Sequence, residues 1–373
     1  MKRRTWLFLV LPVVLSAAIS CRPAAATKTI SFVGVQDGQS RYRSMGLNIG
    51  YAGYWFPQFH AGTAGGGVSD RPTHENDHSV VSPLSVRVAR LPLLQKLTRA
   101  LRASLGATFG NLLWYALLAG AASLLFYVLF PRFFRRRRIA DADPSRQQVS
   151  REIFHSLRSL AIFGLVAAGV VLAALSGWTR IYINDDRYGW PWFITSIVLI
   201  ILLHDAYFYW THRLMHHPRL FRRMHHTHHL STSPTPWAAY AFSPAEALVQ
   251  AGIGPLIVFT IPTHPAAFGL FMLWQISFNV MGHCGHELFP RGFVTSPAGR
   301  LLNTTTHHAL HHEKFRTNFG LYFNVWDRLI GTNHPEYEVR FDRAHGVMPA
   351  TGADGDVGPK HLQVTQPQAR TKR

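Results

Sequence analysis

Long apolar segments constrain the fold of this chain more than any other feature of its sequence. Each has close to the ~20 residues that a helix needs to cross the hydrocarbon core of a bilayer. They lie near residues 109–131, 157–178, 191–210, 245–262 and 265–282. The last two are shorter and meet at Pro262, which favours a hairpin. The sequence therefore predicts an all-α, multi-pass integral membrane bundle with about four spans, or with two spans plus hairpins.

The net charge of +19 suggests nucleic-acid binding at first sight. The basic residues, however, cluster beside apolar segments, as in Arg132 and the run Arg135–Arg138 directly after the first segment. Such clusters mark the cytoplasmic side of membrane proteins. The charge is therefore interpreted as a topology signal, with no nucleic-acid partner. Counting spans from this run places the later, histidine-rich part of the chain on the cytoplasmic face.

Composition divides the chain into four parts. Residues 1–27 have the basic start and apolar run of a signal peptide or an N-terminal anchor. Residues 28–108 are rich in Gly, Ser and Pro and are predicted to be a poorly ordered extramembrane segment. The catalytic domain is assigned to 109–335 and a polar tail to 336–373. The two cysteines, far apart, exclude a disulfide framework and a cysteine-rich zinc site.

Histidines mark where the chemistry lies, because 15 of the 22 fall between His204 and His312. Most of them belong to four short groups. These are HDAYFYWTHRLMHH at 204–217, HHTHH at 225–229, HCGHE at 283–287 and HHALHH at 307–312. Ionisable residues next to membrane segments are costly and usually functional. The clustering therefore predicts a metal site that is held by imidazoles.

The spacing inside these groups is that of one helix face. Residues three and four apart on a helix project from the same side, as His212 and His216 would. The second and fourth groups both contain the pattern HxxHH. Together the groups supply more ligands than the four that one tetrahedral ion takes, which favours two metals. Spacing alone leaves Zn, Cu, Fe and Ni open, because neutral imidazole binds all of them.

The residues that flank the predicted ligands are candidates for supporting roles or for weaker metal binding. Asp205 lies on the helical stripe of His212 and His216, which predicts a carboxylate that orients a ligand imidazole. His204 is rotated off that stripe and is a weaker ligand candidate. Three further histidines duplicate a neighbouring ligand and remain open between ligand, supporting residue and bystander; these are His217, His226 and His307. Five aromatic residues could line a lipid channel or simply pack in the membrane, namely Tyr207, Phe208, Trp210, Phe278 and Phe323.

The four histidine groups, followed by the elements NFG and WDRLIGT, resemble the fatty acid hydroxylase and sterol desaturase superfamily across about 190–332. The resemblance implies a membrane-embedded enzyme with two Fe ions, cycling between Fe2+ and Fe3+, that uses O2 to hydroxylate or desaturate a lipid. Electrons would come from an external partner such as a ferredoxin, a cytochrome b5-like protein or a reductase. The helices would carry a cytoplasmic helical cap that closes over the metals. His286 stands at a position where the family varies, so it is a weaker metal-ligand candidate.

Matched residue by residue, the resemblance nominates nine metal ligands. They are His212, His216, His225, His228, His229, His283, His308, His311 and His312.

Two other classes of function remain open on the sequence alone. A metal-dependent membrane hydrolase would also cluster histidines, but it would need carboxylate ligands or a general base. Glu287 and Glu313 are the only adjacent candidates. A metal transporter would distribute its histidines along a transmembrane path instead of grouping them in boxes.

Overall fold

Helices form the regular structure of the chain in the computed structural model, which describes residues 91–139, 143–183 and 188–346. Over these ranges the only β-bridges are isolated ones, so the all-α prediction is confirmed. The helices are α1 Leu93–Ser123, α2 Pro131–Phe134, α3 Arg146–Leu175, α4 Trp190–Met215, α5 Pro218–Met224, α6 His226–His229, α7 Pro244–Ala251, α8 Ile253–Thr260, α9 Pro265–His283, α10 Pro297–Leu301, α11 Thr305–Lys314, α12 Val325–Ile330 and α13 Tyr337–Arg343. The predicted signal or anchor at 1–27, most of the 28–108 segment and the end of the 336–373 tail lie outside the described residues.

Within the described ranges, three helices are long and apolar enough to cross a membrane. They are α1 with its π-helical continuation, Leu93–Leu129, then Arg146–Leu175 and Trp190–Met215. The predicted span at 245–262 is instead the two short helices α7 and α8, which meet at Gly252. The described residues thus contain three long apolar helices and these shorter ones, where the sequence predicted about four spans, or two spans plus hairpins.

The predicted start of the first span is wrong. Helix α1 begins at Leu93, so residues 93–108, assigned above to a poorly ordered segment, are helical. Lys96, Arg99 and Arg102 dilute the hydropathy of this first part of the helix. They follow one another at intervals of three, so they share one side of the helix and leave the other sides apolar.

The outward face of α1 is an apolar stripe with a spacing of four residues. The exposed side chains are Leu97, Leu101, Leu105, Phe109, Leu113 and Leu117. Small residues such as Ala100 and Ala103 are buried on the opposite side. A stripe of this size is costly in water but fits a lipid environment.

A short 3-10 segment, Pro236–Tyr240, packs between α1, α3 and α9. The carbonyl of Trp237 accepts hydrogen bonds from Tyr115 Oη (2.8 Å) and from Ser156 Oγ (2.9 Å). The rings of Tyr115 and Tyr240 stack with centroids 5.7 Å apart. These contacts satisfy a backbone group inside the bundle and fix the chain that follows the second histidine group.

The arginine run after α1 lies beside the third histidine group. The carbonyl of Arg137 accepts from the backbone N–H of Glu287 (2.8 Å), and Ile139 N–H donates to the carbonyl of Gly285 (3.0 Å). The run and the third histidine group therefore lie at the same end of the helical bundle.

Candidate metal centre

The nine nominated histidines converge in two groups. From here on, the first and second groups are these spatial clusters and not the four sequence motifs. The first group is His212, His216, His225, His229 and His311, and the second group is His228, His283, His308 and His312. Within each group the candidate ligand nitrogens lie within 4.8 Å of one another. All nine side chains are buried except His216, which is partly buried. The structure thus brings together residues that are up to a hundred positions apart in sequence.

Helix ends and short helices position the histidines of the first group. His212 lies one turn before the end of α4, and His216 follows its last residue. Pro218 comes shortly after, and the residue before a proline disfavours helical geometry, so α4 ends here. His225 then precedes the single turn of α6, which carries His229.

The second group depends on a close approach between α9 and α11. His283 ends α9, while His308 and His312 lie one turn apart on α11. A Cβ atom at Gly282 would lie 3.3 Å from the His308 ring, which is tighter than most real contacts. Glycine at this position therefore lets the ring of His308 reach His283.

Backbone carbonyls fix the tautomer of four of these imidazoles. A carbonyl oxygen can only accept, so the Nδ1 atom that contacts it must carry the proton. The neutral ring then keeps its lone pair on Nε2. The four contacts are His212 to Phe319 (2.8 Å), His283 to Asn279 (2.7 Å), His311 to Thr317 (2.7 Å) and His312 to Ser231 (2.9 Å).

The Nε2 atoms approach one another at distances that a shared metal explains. Nε2 of His283 and Nε2 of His312 are 3.3 Å apart, although neither atom has a proton to donate. Two lone pairs at that distance repel unless a cation lies between them. Metal–imidazole bonds of about 2.0–2.1 Å place two ligands about 2.9–3.4 Å apart. The donor set therefore fits one metal ion in each group.

Burial keeps the imidazoles neutral. Burial first, and neighbouring imidazoles second, lower the pKa of His228, His229, His308, His311 and His312 well below the ordinary value of 6.5. A neutral imidazole is the form that binds a metal.

One carboxylate that the sequence analysis missed contacts a histidine of the first group. Nδ1 of His225 lies 2.6 Å from Oε1 of Glu246, within hydrogen-bond distance, and both side chains are buried. In the sequence, Ser243 and Glu246 have the spacing of a helix-capping box, and Ser243 Oγ does accept from Glu246 N–H. The Glu246 side chain contacts the histidine instead of completing that box. A carboxylate in the apolar segment 245–262 was the signal that could have identified it.

Asp205 contacts backbone amides. Its Oδ1 accepts from the N–H groups of Tyr322 and Phe323, both at 3.1 Å. The neighbouring His204 contacts the hydroxyl of Tyr322 (2.8 Å) and belongs to neither metal group. Asp205 thus holds the 319–323 segment, whose Phe319 carbonyl orients His212. Its predicted direct contact with a ligand imidazole is absent from the described contacts.

A second buried carboxylate, Asp327, holds the other end of that segment. It accepts from the N–H groups of Phe319 (2.9 Å) and Gly320 (2.7 Å) and from Thr332 Oγ1 (2.7 Å). Its Oδ2 lies 3.4 Å from Nε2 of His307. His307 therefore contacts this support and belongs to neither metal group. Asp327 of the closing WDRLIGT element thus supports the backbone segment whose Phe319 carbonyl orients His212.

The other open candidates lie apart from both groups. His217 and His226 are exposed, one before α5 and one on α6. His286 contacts the carbonyl of Cys284 through Nδ1 and packs against Phe126.

Neither candidate carboxylate for a hydrolase lies with the imidazoles. Glu287 is buried and accepts from Thr306, while Glu313 pairs with Lys314 and Arg340. Among the described residues, both metal groups contain imidazole ligands alone.

The aromatic candidates separate into different environments. Phe208, Phe278 and Phe323 belong to one apolar cluster with Tyr322, and the Phe208 ring lies 4.9 Å from the His212 ring. Tyr207 packs in a different cluster, and Trp210 is 47% exposed. An apolar wall therefore adjoins the first group.

Comparisons with known proteins agree with this architecture. Residues 197–332 match the fatty acid hydroxylase family model. The chain is 31% identical over 265 residues to a Delta(7)-sterol 5(6)-desaturase of Gibberella zeae, covering 68% of this chain and 76% of that protein. A second such desaturase, of Aspergillus fumigatus, is 29% identical over 67% of this chain and 83% of its own length.

A lathosterol oxidase of Rattus norvegicus is 34% identical over 197 residues, which cover 51% of this chain and 63% of that protein. No solved structure matches the chain. The matched region contains every histidine of the two groups. The chain therefore belongs to the fatty acid hydroxylase and sterol desaturase superfamily of lipid oxidoreductases.

Proposed function

We propose that this chain is a membrane-bound di-iron oxygenase that uses O2 and external electrons to desaturate a sterol-like lipid. The observation that carries the proposal is the pair of all-imidazole groups, in which the candidate ligand nitrogens converge and the Nε2 atoms of His212, His283, His311 and His312 carry lone pairs. His212, His216, His225, His229 and His311 would hold one iron, and His228, His283, His308 and His312 the other. Bound iron would supply the O2 activation that no side chain provides.

The reaction balances with two electrons from outside the chain. Desaturation converts a CH–CH unit, O2, two electrons and two protons into a C=C unit and two waters. The alternative, hydroxylation, consumes the same electrons and protons and yields an alcohol and one water. The names of the relatives favour desaturation of a sterol ring, since two are sterol desaturases and one is a lathosterol oxidase.

The role of the protein is to position the reacting groups and exclude water. The carbonyls of Phe319 and Thr317 fix the ligand rings of His212 and His311 from one segment. The cluster of Phe208, Phe278 and Tyr322 gives the first group an apolar neighbour. Because α4 is both a candidate span and the carrier of Phe208, a lipid could approach the metals from the bilayer along this wall.

The proposed location of the site is the cytoplasmic face. The arginine run Arg135–Arg138 contacts the third histidine group through backbone hydrogen bonds. Whichever side holds the run therefore also holds that group, and basic runs favour the cytoplasmic side.

The first test is the metal content of detergent-purified protein from iron-replete cells, measured by plasma mass spectrometry and Mössbauer spectroscopy. We expect one iron for each group, with the spectrum of a coupled pair, and an O2-dependent change in added sterols when a chemical reductant is supplied. His228→Ala and His311→Ala should lose metal and activity but still insert in the membrane. Stoichiometric zinc that iron cannot replace with activity would favour the hydrolase instead.

A further inference from the structure

The exposed face of α5 carries three arginines. Arg219, Arg222 and Arg223 are all exposed, and their spacing of three and four places them on one side of the helix. Together with Pro218 they line a surface depression of about 600 Å³. The same depression contains no acidic residue.

These charges have no partner within the described parts of the chain. The described ion pairs of Lys and Arg involve other cations, such as Arg340 and Lys314 with Glu313. An uncompensated group of arginines produces a positive potential that attracts an acidic surface. The face is thus electrostatically suited to an acidic partner.

The opposite side of α5 touches the first histidine group. The Phe221 ring lies 5.3 Å from the His216 ring and 5.7 Å from the His229 ring, measured between centroids. Phe221 is also 6.3 Å from His225. A single aromatic ring therefore separates the arginine-bearing helix from three candidate ligands.

We propose that this arginine face, Arg219, Arg222 and Arg223, is the docking site of the electron donor, a small acidic protein with a one-electron redox centre. The inference rests on the proposed function, which needs two electrons per turnover and therefore two donor encounters. Each encounter oxidises one donor by one electron and places that electron next to the first histidine group. Docking at this face places the donor on the helix whose Phe221 ring packs against that group.

Other occupants fit this face less well. A second copy of the chain would bring together two surfaces of a protein whose net charge is +19, so the copies would repel. A helix that lies in a lipid surface inserts apolar side chains. Here the exposed positions are a proline and arginines, while Leu220, Phe221 and Met224 are partly buried.

The test uses the full-length, iron-loaded protein in nanodiscs of zwitterionic phosphatidylcholine. The variant Arg219→Glu/Arg222→Glu/Arg223→Glu is compared with a charge-matched control on other exposed arginines, Arg291→Glu/Arg300→Glu/Arg343→Glu. Two probes deliver electrons, an acidic ferredoxin and the soluble domain of an acidic cytochrome b5, each with its reductase. Dithionite serves as the small reductant. Binding of each probe is measured separately by interferometry at low and high salt.

We expect a protein donor to reduce the α5 variant at least roughly tenfold more slowly than the unmodified protein. The variant should also bind each probe correspondingly more weakly. Its rate with dithionite should equal that of the unmodified protein, and the control variant should keep both rates. In the unmodified protein, binding should weaken as salt rises.

Several results would overturn the docking site. They are an unchanged donor rate in the α5 variant, an equal loss with dithionite, or failure of both acidic probes to bind or reduce the unmodified protein. An effect of the arginines that appears only when anionic lipid is added would instead assign the face to lipid headgroups. If dithionite itself supports no O2-dependent lipid product in the unmodified protein, the proposed function fails, whereas probe binding still tests the surface.

Discussion

Nδ1 of His225 and Oε1 of the buried Glu246 side chain share a 2.6 Å hydrogen bond. In the four imidazoles whose tautomers are fixed by backbone carbonyls, Nδ1 contacts a neutral carbonyl oxygen and not a carboxyl group. A carboxylate behind a ligand imidazole raises its basicity and fixes its orientation. Glu246 thus distinguishes the first metal group from the second, and it should strengthen metal binding there.

Replacing Glu246 should weaken the first metal site selectively. We expect Glu246→Ala to lower iron affinity at that site by about 10–100-fold, because His225 loses the partner that orients it. Glu246→Gln keeps a hydrogen-bond acceptor and should lose less. Chelator competition followed by Mössbauer spectroscopy would measure the loss. The exposed carboxylate change Glu313→Gln is the control, and equal affinities for all three variants would refute a role for Glu246.

Each histidine group should lose its metal independently when one ligand is removed. His308→Ala should release the iron of the second group, and His216→Ala that of the first, because each variant leaves the other ligand set intact. Metal analysis and loss of the coupled Mössbauer signal would report both outcomes.

Two histidines in the same sequence boxes provide matched controls for these ligand variants. His226 is exposed beside His225, and His286 is buried three positions after His283, yet neither lies in a metal group. His226→Ala and His286→Gln should retain both irons. Loss of a metal in either control would show that the two groups are assigned incorrectly.

Side-chain patterns in the sequence were sufficient to nominate the histidines that the fold brings together, but not the groups that support them. The HxxHH spacing and the family resemblance nominated nine histidines, and the fold brings these nine together. The carbonyls of Phe319 and Thr317 that orient two of them have no signature in sequence, since every residue has a carbonyl. Glu246 lies outside the four histidine groups, and its spacing from Ser243 is also that of a helix cap, so the local sequence does not link it to His225. The start of α1 was misplaced because hydropathy, unlike helical spacing, is sensitive to Lys96 and Arg99.

The Asp327 carboxylate should be a major source of stability for the 319–323 segment. It accepts three hydrogen bonds, from Phe319 N–H, Gly320 N–H and Thr332 Oγ1, in a buried position. Hydrogen bonds to charged groups contribute about 1.5–3 kcal/mol each and are not additive, so Asp327→Asn should destabilise the protein by roughly 2–4 kcal/mol. Thermal unfolding in detergent, with metal content in parallel, would measure this.

A conservative change on an exposed helix serves as the control for Asp327. Glu338→Gln on α13 removes one acidic charge without a described hydrogen bond to the 319–323 segment. It should leave the unfolding temperature unchanged within about 1 °C. If Asp327→Asn behaves the same way, the 319–323 segment is held by other contacts and the carboxylate is dispensable.

Acidification should destabilise the metal-free protein. Burial lowers the pKa of His228, His229, His308, His311 and His312, so the folded state keeps them neutral at pH values where the unfolded chain, with a pKa near 6.5, protonates them. Because the unfolded state then binds more protons, stability is complete above about pH 6.5 and falls as the pH drops toward the folded values. The slope approaches about 1.4 kcal/mol per pH unit for each proton taken up on unfolding.

Urea unfolding of chelator-treated protein between about pH 5 and about pH 7.5 would measure this slope. The variant His308→Leu/His312→Leu removes two titrating groups and should flatten the dependence, whereas the exposed change His226→Leu should not. Iron should raise the stability by a similar amount at every pH in this range and leave the slope unchanged, because the folded imidazoles are already neutral when iron binds. A pH-independent stability of the metal-free protein would mean that these imidazoles are already protonated in the fold or remain neutral after unfolding. Protonation in the fold would contradict the lone-pair arrangement on which the two metal groups depend.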